Sequence, residues 1–405
     1  MSLAKKHVAD ADTLSLVGKG EDFSLVLGGP LYQLFIRAHL SAPPLQLLRR
    51  RVLVISLICW LPLLILAALS GLAYGGVAVP FLSDVEVHVR FLAAIPLLIV
   101  AEVIVHQRIV VVVRQFVERN IVAAEDRSSF DRIAASTMRL RNSVLFEVLL
   151  LIFCFTIGHW FWRDRVALTI STWYSSLASG RTFLTKAGYW YVFVSLPIFR
   201  FLLFRWYYRL LLWYRFLWQV RGLPLHLNLY HPDGCGGLGF LASSVPAFAP
   251  VLLAQTMLLS GLIGDRIWHA GANLLTFKME IVGLVIFLML LVLAPLTFFV
   301  VHLERARRMS AREFGILSSQ YVNAFRNKWV RHVSRETEPL LGTPDLQSLA
   351  DLGNSYKSVR DIRLVPFGKN TLVSLGGILL LPLVPLILTI IPLKEIVDWL
   401  IKLVF

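Results

Sequence analysis

The chain has 405 residues, of which 57% are hydrophobic and only 16% charged, and its mean hydropathy is +0.69. Soluble domains are about 45–50% apolar and about 25% charged, so this composition excludes disordered, collagen-like and small disulfide-rich proteins and argues against a water-soluble enzyme. Several apolar runs exceed the roughly 18 residues that predict a membrane-spanning helix. The sequence therefore predicts an all-α, polytopic membrane protein.

The net charge of +15 would suggest a nucleic-acid partner if the protein were soluble. In membrane proteins, however, Lys and Arg collect in cytoplasmic loops, and most of the basic residues fall in the loops that the topology below assigns to the cytoplasm. We therefore predict no nucleic-acid partner. Cys59, Cys154 and Cys235 form no CxxC pair, so neither a cofactor nor a structural metal is indicated.

Seven apolar segments predict membrane spans, of which the first six are well defined. They are 52–74, 91–113, 143–162, 187–206, 241–263, 280–301 and 371–391. The basic run 49–51 directly before the first span places the N-terminus in the cytoplasm. Every span except the third contains proline, which removes a backbone donor and predicts kinked helices.

The last segment is open to two interpretations. Gly376, Gly377, Pro382 and Pro385 predict either a kinked span or a re-entrant hairpin. The tail after Pro392 has apolar positions spaced as on one face of a helix. Residues 371–405 therefore predict this span or hairpin followed by an amphipathic C-terminal helix, lying in the interface or against a second subunit of a homo-oligomer.

The remaining segments predict a small cytoplasmic layer. Residues 1–51 form the N-terminal cytoplasmic segment, and 114–142 predict a helical hairpin between two spans of the 52–301 bundle. Within the cytoplasmic segment 302–370, the stretch 344–362 predicts a separate amphipathic helix. This layer is too small to be an independent catalytic domain.

The sharpest single feature is Glu102, near the middle of the second predicted span. A carboxylate at that depth is costly unless it is paired, protonated or hydrated, and intramembrane charge is functional by default. His106 follows on the same helix face. Span four carries Arg200 at nearly the same depth, followed by Arg205. We expect Glu102 and Arg200 to face each other or a shared polar cavity; alternatively, Arg200 reaches the interface and Glu102 pairs locally.

Basic and aromatic residues alternate from Arg200 to Arg221. The basic residues are four to six positions apart, which does not keep them on one helix face as a voltage sensor requires. The pattern predicts an aromatic and basic belt at the inner interface, which anchors helices and can hold anionic lipid headgroups.

A glycine-rich run lies directly before the fifth span, at Gly234, Gly236, Gly237 and Gly239. Free N–H groups at a helix N-terminus favour an anion, and the span continues with the polar Ser243 and Ser244. Interrupted polar helices form binding sites in many transporters. The alternative is a tight structural turn that allows close helix packing.

No catalytic set can be assembled from the sequence. His231 and Asp233, with His226 nearby, are the best concentration of titratable groups, and they are weak metal candidates because two histidines five apart in a loop are a poor signal. The run is neither a Walker nor a dinucleotide motif. An enzymatic function is therefore the less favoured expectation.

Two stretches carry a resemblance to a family. HPDGCGGLGFL (231–241) and GTPDLQSLADLGNSYKSVRDIRLVPFG (342–368) resemble segments of an uncharacterised family of bacterial multi-pass inner-membrane proteins. The resemblance would extend from about residue 200 onward. It implies a bacterial inner membrane and nothing about a substrate.

Three classes of function remain. The first is a channel or transporter for a small ion, which we expect to be an anion, with a pathway near Glu102, Arg200 and the glycine-rich run. The second is a membrane scaffold, assembly factor or sensor that docks partners through its cytoplasmic helices. The third is a membrane enzyme acting on lipid phosphates, with His231 and Asp233 as its reactive groups.

Overall fold

The computed structural model describes residues 23–39, 45, 47–165, 172–178, 181–331 and 344–389. Most of this part of the chain is helical. The helices, in chain order, are α1 (Pro30–Arg37), α2 (Leu48–Leu69), α3 (Val85–Glu118), α4 (Arg127–Arg141), α5 (Val144–Arg165), α6 (Lys186–Val220), α7 (Leu238–Ala270), α8 (Leu274–Val330), α9 (Pro344–Arg360) and α10 (Lys369–Ile387).

Six helices of the described residues, α2, α3, α6, α7, α8 and α10, are long and apolar enough to cross a membrane. The predicted all-α polytopic bundle is thus confirmed, and the protein is a multi-pass membrane protein. The third predicted span falls on α5. The part of α5 whose side chains the structure describes has an apolar stretch, Val144–Thr156, that is shorter than a full span. The predicted amphipathic tail, 393–404, lies outside the described residues.

Most spans are longer than predicted, because several helices continue beyond the apolar run. Helix α3 has 34 residues, α6 has 35 and α8 has 57. At 1.5 Å per residue, 20 residues suffice for the roughly 30 Å hydrocarbon core. The surplus turns of these helices therefore lie outside it.

Irregular turns accompany the prolines, which agrees with the predicted kinks. Wide π-type turns at Val89–Ala94 and Tyr191–Ser195 precede Pro96 and Pro197, and a tight 3₁₀ turn surrounds Pro295. Each proline lacks the N–H that would close a regular turn. Helix α10 continues through Pro382 and Pro385, as the kinked-span interpretation requires, and the Ser260 hydroxyl of α7 donates to the Pro382 carbonyl.

We call the membrane face at which α2 begins the near face and the opposite one the far face. On the far face, the strands β1 (Ser175–Ala178) and β2 (Arg181–Leu184) form an antiparallel hairpin that the sequence did not predict. On the near face, α3 ends, α4 follows it, and α8 extends to pack against α9. The near face thus carries the extramembrane helices.

A cluster of aromatic rings joins these helices at the near face. Phe116 of α3 packs edge-on against Phe216 of α6 and Phe240 of α7, and its ring centroid is 5.8 Å from that of Phe130 in α4. Aromatic pairs of this kind contribute about 0.5–1.5 kcal/mol each beyond their buried area. The cluster explains why α3 and α6 remain helical beyond the bilayer.

The described N-terminal residues enter the bundle at the same face. Phe23 packs on Phe216 with ring centroids 4.7 Å apart, and Leu25 and Val26 are fully buried. The Arg141 side chain donates to the Ser24 carbonyl. This segment and α1 therefore close the near face between α2 and α5.

Candidate functional site

Five charged side chains meet inside the bundle, and we call them the charge cluster. They are Arg51 of α2, Glu102 of α3, Glu147 of α5, and Arg205 and Arg209 of α6. Each side chain is at most 9% exposed. Charges buried to this degree persist only when they are paired, so the geometry of the contacts decides what the cluster does.

Glu102 is the centre of the charge cluster. Its Oε1 atom is 2.9 Å from Arg209 Nη2 and 3.3 Å from Arg205 Nη1, and its Oε2 atom is 3.1 Å from Arg51 Nη1. Arg205 continues the network, because its Nη2 atom is 3.3 Å from Glu147 Oε1. Three cations thus surround two carboxylates, which leaves one net positive charge.

The helices place these groups by simple geometry. Arg205 and Arg209 are four residues apart and share one face of α6. Arg51 and Glu147 lie in the first turn of α2 and of α5, where both helices start at the near face. The second carboxylate oxygen of Glu147 accepts a hydrogen bond from the Leu31 backbone N–H of α1 at 2.8 Å. Side chains from four long helices and one backbone donor therefore converge.

The turn before α1 brings the backbone close to the Glu147 carboxylate. Gly29 has a φ of +88°, which favours glycine, and a Cβ atom there would lie 3.0 Å from Glu147 Oε1. Glycine at this position therefore lets the backbone of the N-terminal segment reach the carboxylate of Glu147.

Arg51 is the least satisfied member of the charge cluster. Its side chain is fully buried, and within the described part of the chain none of its three guanidinium nitrogens has an acceptor in hydrogen-bonding geometry. Its partners are the carboxylate of Glu102, at ion-pair distance, and the ring of Phe35, 5.7 Å from the guanidinium carbon. A buried donor without an acceptor costs about 1–3 kcal/mol, and more when it is charged.

The structure corrects the predicted depth of Glu102. Its partner Arg51 is 18 residues from the far-face end of α2 at Leu69, about 27 Å along the helix. With a hydrocarbon core of about 30 Å, the charge cluster therefore lies toward the near face and not at the membrane centre. The error arose because the apolar run 91–113 is centred on Glu102, whereas α3 runs on to Glu118.

The predicted pairing of Glu102 with Arg200 is wrong. In the part of the chain that the structure describes, Glu102 contacts Arg51, Arg205 and Arg209, and Arg200 is not among its partners. Arg200 is half-buried, and the charged and polar groups around it are on the far-face side, including Arg90 and Tyr191. Because Glu102 lies closer to the near face than predicted, its partners on α6, Arg205 and Arg209, are more than one helical turn beyond Arg200.

His106 faces the N-terminal segment. Its Nδ1 atom is 3.0 Å from the Ser24 hydroxyl, which ties α3 to the chain that closes the near face. His106 is one turn from Glu102 on the same helix, as predicted.

The aromatic and basic belt is divided between two faces of α6. Trp206 and Arg209 are buried: the Trp206 indole donates to the Leu98 carbonyl, and the Arg209 guanidinium lies 4.7 Å over the Trp206 ring. Trp218 is half exposed, with Arg221 over its ring. The predicted interfacial belt therefore describes only part of this run, because one face of α6 packs into the bundle.

The glycine-rich run forms a loop around the carboxylate of Asp233. That carboxylate accepts hydrogen bonds from the backbone N–H groups of Cys235, Gly237 and Gly239, at 2.8, 3.2 and 2.8 Å. Burial raises the pKa of Asp233, but these three hydrogen bonds outweigh it and hold the pKa below its usual value. The chain's own carboxylate thus occupies the position predicted for an external anion.

Other residues of the run have partners within the loop or its own helix. Gly234 and Gly236 have positive φ, and the Gly234 carbonyl accepts from the Arg363 backbone N–H. The Ser243 and Ser244 hydroxyls donate to carbonyls three residues earlier in α7. These contacts match the tight-turn interpretation, with Arg363 tying the loop to the segment before α10.

The weak metal candidates His231 and Asp233 contact each other within the same loop. His231 Nδ1 lies 3.2 Å from an Asp233 oxygen that also receives two backbone N–H groups. Among the described residues, no group of three His, Cys, Asp or Glu side chains could hold a metal ion.

Sequence reasoning missed three members of the charge cluster. Arg51 was assigned to the basic run before the first span, and Arg209 to the interfacial belt. Glu147 carried a usable signal, because it is a lone carboxylate within the apolar sequence Val144–Leu151. A rule that pairs each such carboxylate with arginines at the near ends of the other spans would have found it.

No family model, no curated protein and no solved structure matches the chain. The resemblance to bacterial inner-membrane proteins therefore stays a prediction that rests on residues 231–241 and 342–368.

Proposed function

We propose that the protein is a channel or transporter for a small anion in a bacterial inner membrane, with the charge cluster as its anion site. In this proposal the near face is cytoplasmic, because the basic run 49–51 precedes α2. The anion would bind at the cytoplasmic end of the bundle. The glycine-rich loop is not part of this site, because Asp233 already accepts its N–H groups.

The observation that carries the proposal is the state of Arg51. The Arg51 guanidinium is fully buried and meets one oxygen of Glu102 at 3.1 Å. In the described residues, none of its nitrogens has an acceptor in hydrogen-bonding geometry, which favours an additional oxygen or halide partner. Arg205 and Arg209 meet the same carboxylate of Glu102, so an anion beside Arg51 would also feel their charge. The net charge of +1 supports an anion over a cation, since bound anion neutralises the charge cluster.

The test is ion flux into liposomes that contain the purified, full-length protein. Chloride, nitrate, potassium and proton fluxes are compared with those of protein-free liposomes. We expect selective anion flux from the wild-type protein and a loss of at least tenfold in Arg51→Gln. Arg51→Lys keeps the charge without the planar donors and should retain intermediate flux.

The matched control is Arg312→Gln, which removes an exposed arginine of α8 outside the charge cluster. Its flux should equal that of the wild type within twofold. If the folded, inserted wild-type protein conducts no ion selectively, or if Arg51→Gln conducts as well as Arg312→Gln, the proposal is overturned.

A second candidate function is a scaffold or sensor that docks partners through the near-face helices. Its support is that the extension of α8 exposes large apolar side chains, among them Ile316 and Leu317, beside many arginines. Under this alternative, Ile316→Glu with Leu317→Glu would shrink the native complex extracted from membranes, while liposomes would show no flux. An unchanged complex size would exclude docking through this surface.

A further inference from the structure

A cavity of about 700 Å³ lies on the side of the bundle, between α2 and α5. Both helices pack against α6 but leave a gap between them, and α6 forms the floor of that gap through Pro197, Ile198 and Phe201. Helix α1 closes its near-face end. The cavity volume falls within the roughly 300–1,000 Å³ of small-molecule sites.

The cavity walls are apolar and open toward the lipid. Ile58, Val148, Phe155 and Phe193 line the cavity, and their side chains are 45–48% exposed although they belong to helices of the bundle. Glu147 is the single charged lining residue among those described, and its two oxygens are taken by Arg205 and the Leu31 N–H. A lateral opening with such walls, at membrane depth, suits a hydrocarbon chain and not an ion.

Exposed arginines lie at the ends of two helices that line the cavity. Arg37 ends α1, while Arg49 and Arg50 begin α2, and all three are exposed. The two helix ends meet, because the Arg51 guanidinium lies over the ring of Phe35. The first turns of α1 and α2 contain no acidic residue, and the Glu147 carboxylate of α5 is paired with Arg205, so the charge around this end is positive. Anionic headgroups are attracted to such basic positions beside a membrane.

We propose that the cavity binds one anionic phospholipid from the near-face leaflet, with an acyl chain between α2 and α5 and its phosphate at Arg37, Arg49 and Arg50. Charge complementarity selects the headgroup, and the apolar walls select the chain. The cavity shares Glu147 with the charge cluster, but both oxygens of that carboxylate already have partners, so the lipid site does not depend on anion transport.

The experiment is native mass spectrometry of the full-length protein in mild detergent, titrated with phosphatidylglycerol or with phosphatidylcholine of the same chains. We expect one tightly bound phosphatidylglycerol per chain and at least tenfold weaker binding of phosphatidylcholine. Arg49→Gln with Arg50→Gln should bring phosphatidylglycerol down to the level of phosphatidylcholine.

Filling the cavity tests the chain site. Ile58→Trp with Val148→Trp should reduce bound phosphatidylglycerol at least tenfold, and the milder Ile58→Phe by about threefold. Ile286→Trp, on a half-exposed position of α8 outside the cavity, is the control and should change nothing. Elution profiles establish that each variant is folded.

Three results would overturn the proposal. The first is equal retention in Ile58→Phe and Ile286→Trp. The second is equal affinity for the two phospholipids. The third is a copurified adduct with the mass of a free fatty acid in place of a phospholipid. Ion flux does not enter any of these readouts, so failure of the anion proposal is distinguishable from failure of this one.

Discussion

Replacing Glu102 by Gln removes the carboxylate that three arginines share. The change leaves Glu147 to compensate Arg205 alone, so Arg51 and Arg209 become buried cations without a partner carboxylate, and the net charge of the cluster rises from +1 to +2. Removing one partner of a buried ion pair typically costs 3–5 kcal/mol. We expect Glu102→Gln to lower the free energy of unfolding by about 4 kcal/mol.

A second substitution makes the argument specific to charge. Arg209→Gln alone removes a hydrogen bond of 2.9 Å to Glu102, which should cost about 2 kcal/mol because two arginines still compensate the carboxylate. In the double variant the net charge returns to +1. The two losses should then fall short of additivity by about 2–3 kcal/mol, as expected for groups in direct contact.

The assay is reversible unfolding in mixed micelles with a rising fraction of denaturing detergent, followed by tryptophan fluorescence. Glu280→Gln, at an exposed site in α8, is the control and should stay within about 0.5 kcal/mol of the wild type. A coupling energy below about 0.5 kcal/mol between Glu102 and Arg209 would refute the reasoning, as would a Glu102→Gln variant as stable as Glu280→Gln.

Two further predictions concern the glycine-rich loop and a tight helix contact. Asp233→Asn should lose the hydrogen bond from Gly239, and its remaining hydrogen bonds would go to a neutral oxygen in place of a carboxylate. We expect the free energy of unfolding at pH 7 to fall by about 2 kcal/mol in the same assay. Because the pKa of folded Asp233 lies below its unfolded value near 3.9, the difference from the wild type should shrink as the pH falls below about 4. A difference that grows between about pH 4 and about pH 2 contradicts this. Gly188→Ala should lower the free energy of unfolding by about 3 kcal/mol, since its Cβ would lie 2.1 Å from the Tyr174 carbonyl oxygen. Gly283→Ala would bring its Cβ within 4 Å of no atom and should stabilise α8 by up to about 1 kcal/mol. Equal effects at the two sites would exclude the steric explanation.

The fold class was predictable because apolar run length is a direct physical requirement of the bilayer. Six of the seven predicted segments coincide with helices long enough to cross it. The ends were not predictable in the same way. Helix α3 continues from the apolar run to Glu118 because its near-face turns pack through Phe116 against other helices, and such tertiary contacts leave no periodic signal in one sequence.

The charge cluster was half predictable for a related reason. A carboxylate in an apolar helix demands a cationic partner, which drew attention to Glu102 and Arg205. The identity of the other partners depends on which helix faces adjoin and on where each helix enters the membrane. An error of a few residues in the predicted end of α3 led to Arg200 as the expected partner of Glu102, in place of Arg51 and Arg209.

The charge cluster also bears on the order of assembly during synthesis. Its first member, Arg51, and its last, Arg209, are 158 residues apart, which is roughly 8–32 s of chain elongation. Glu102 can meet Arg51 once α3 is made, but Glu147 meets its partner Arg205 only once α6 follows. The network closes only when these helices stand side by side. The ion pairs therefore fix the arrangement of the nascent helices only after α6, the last helix that contributes to the cluster, has been made.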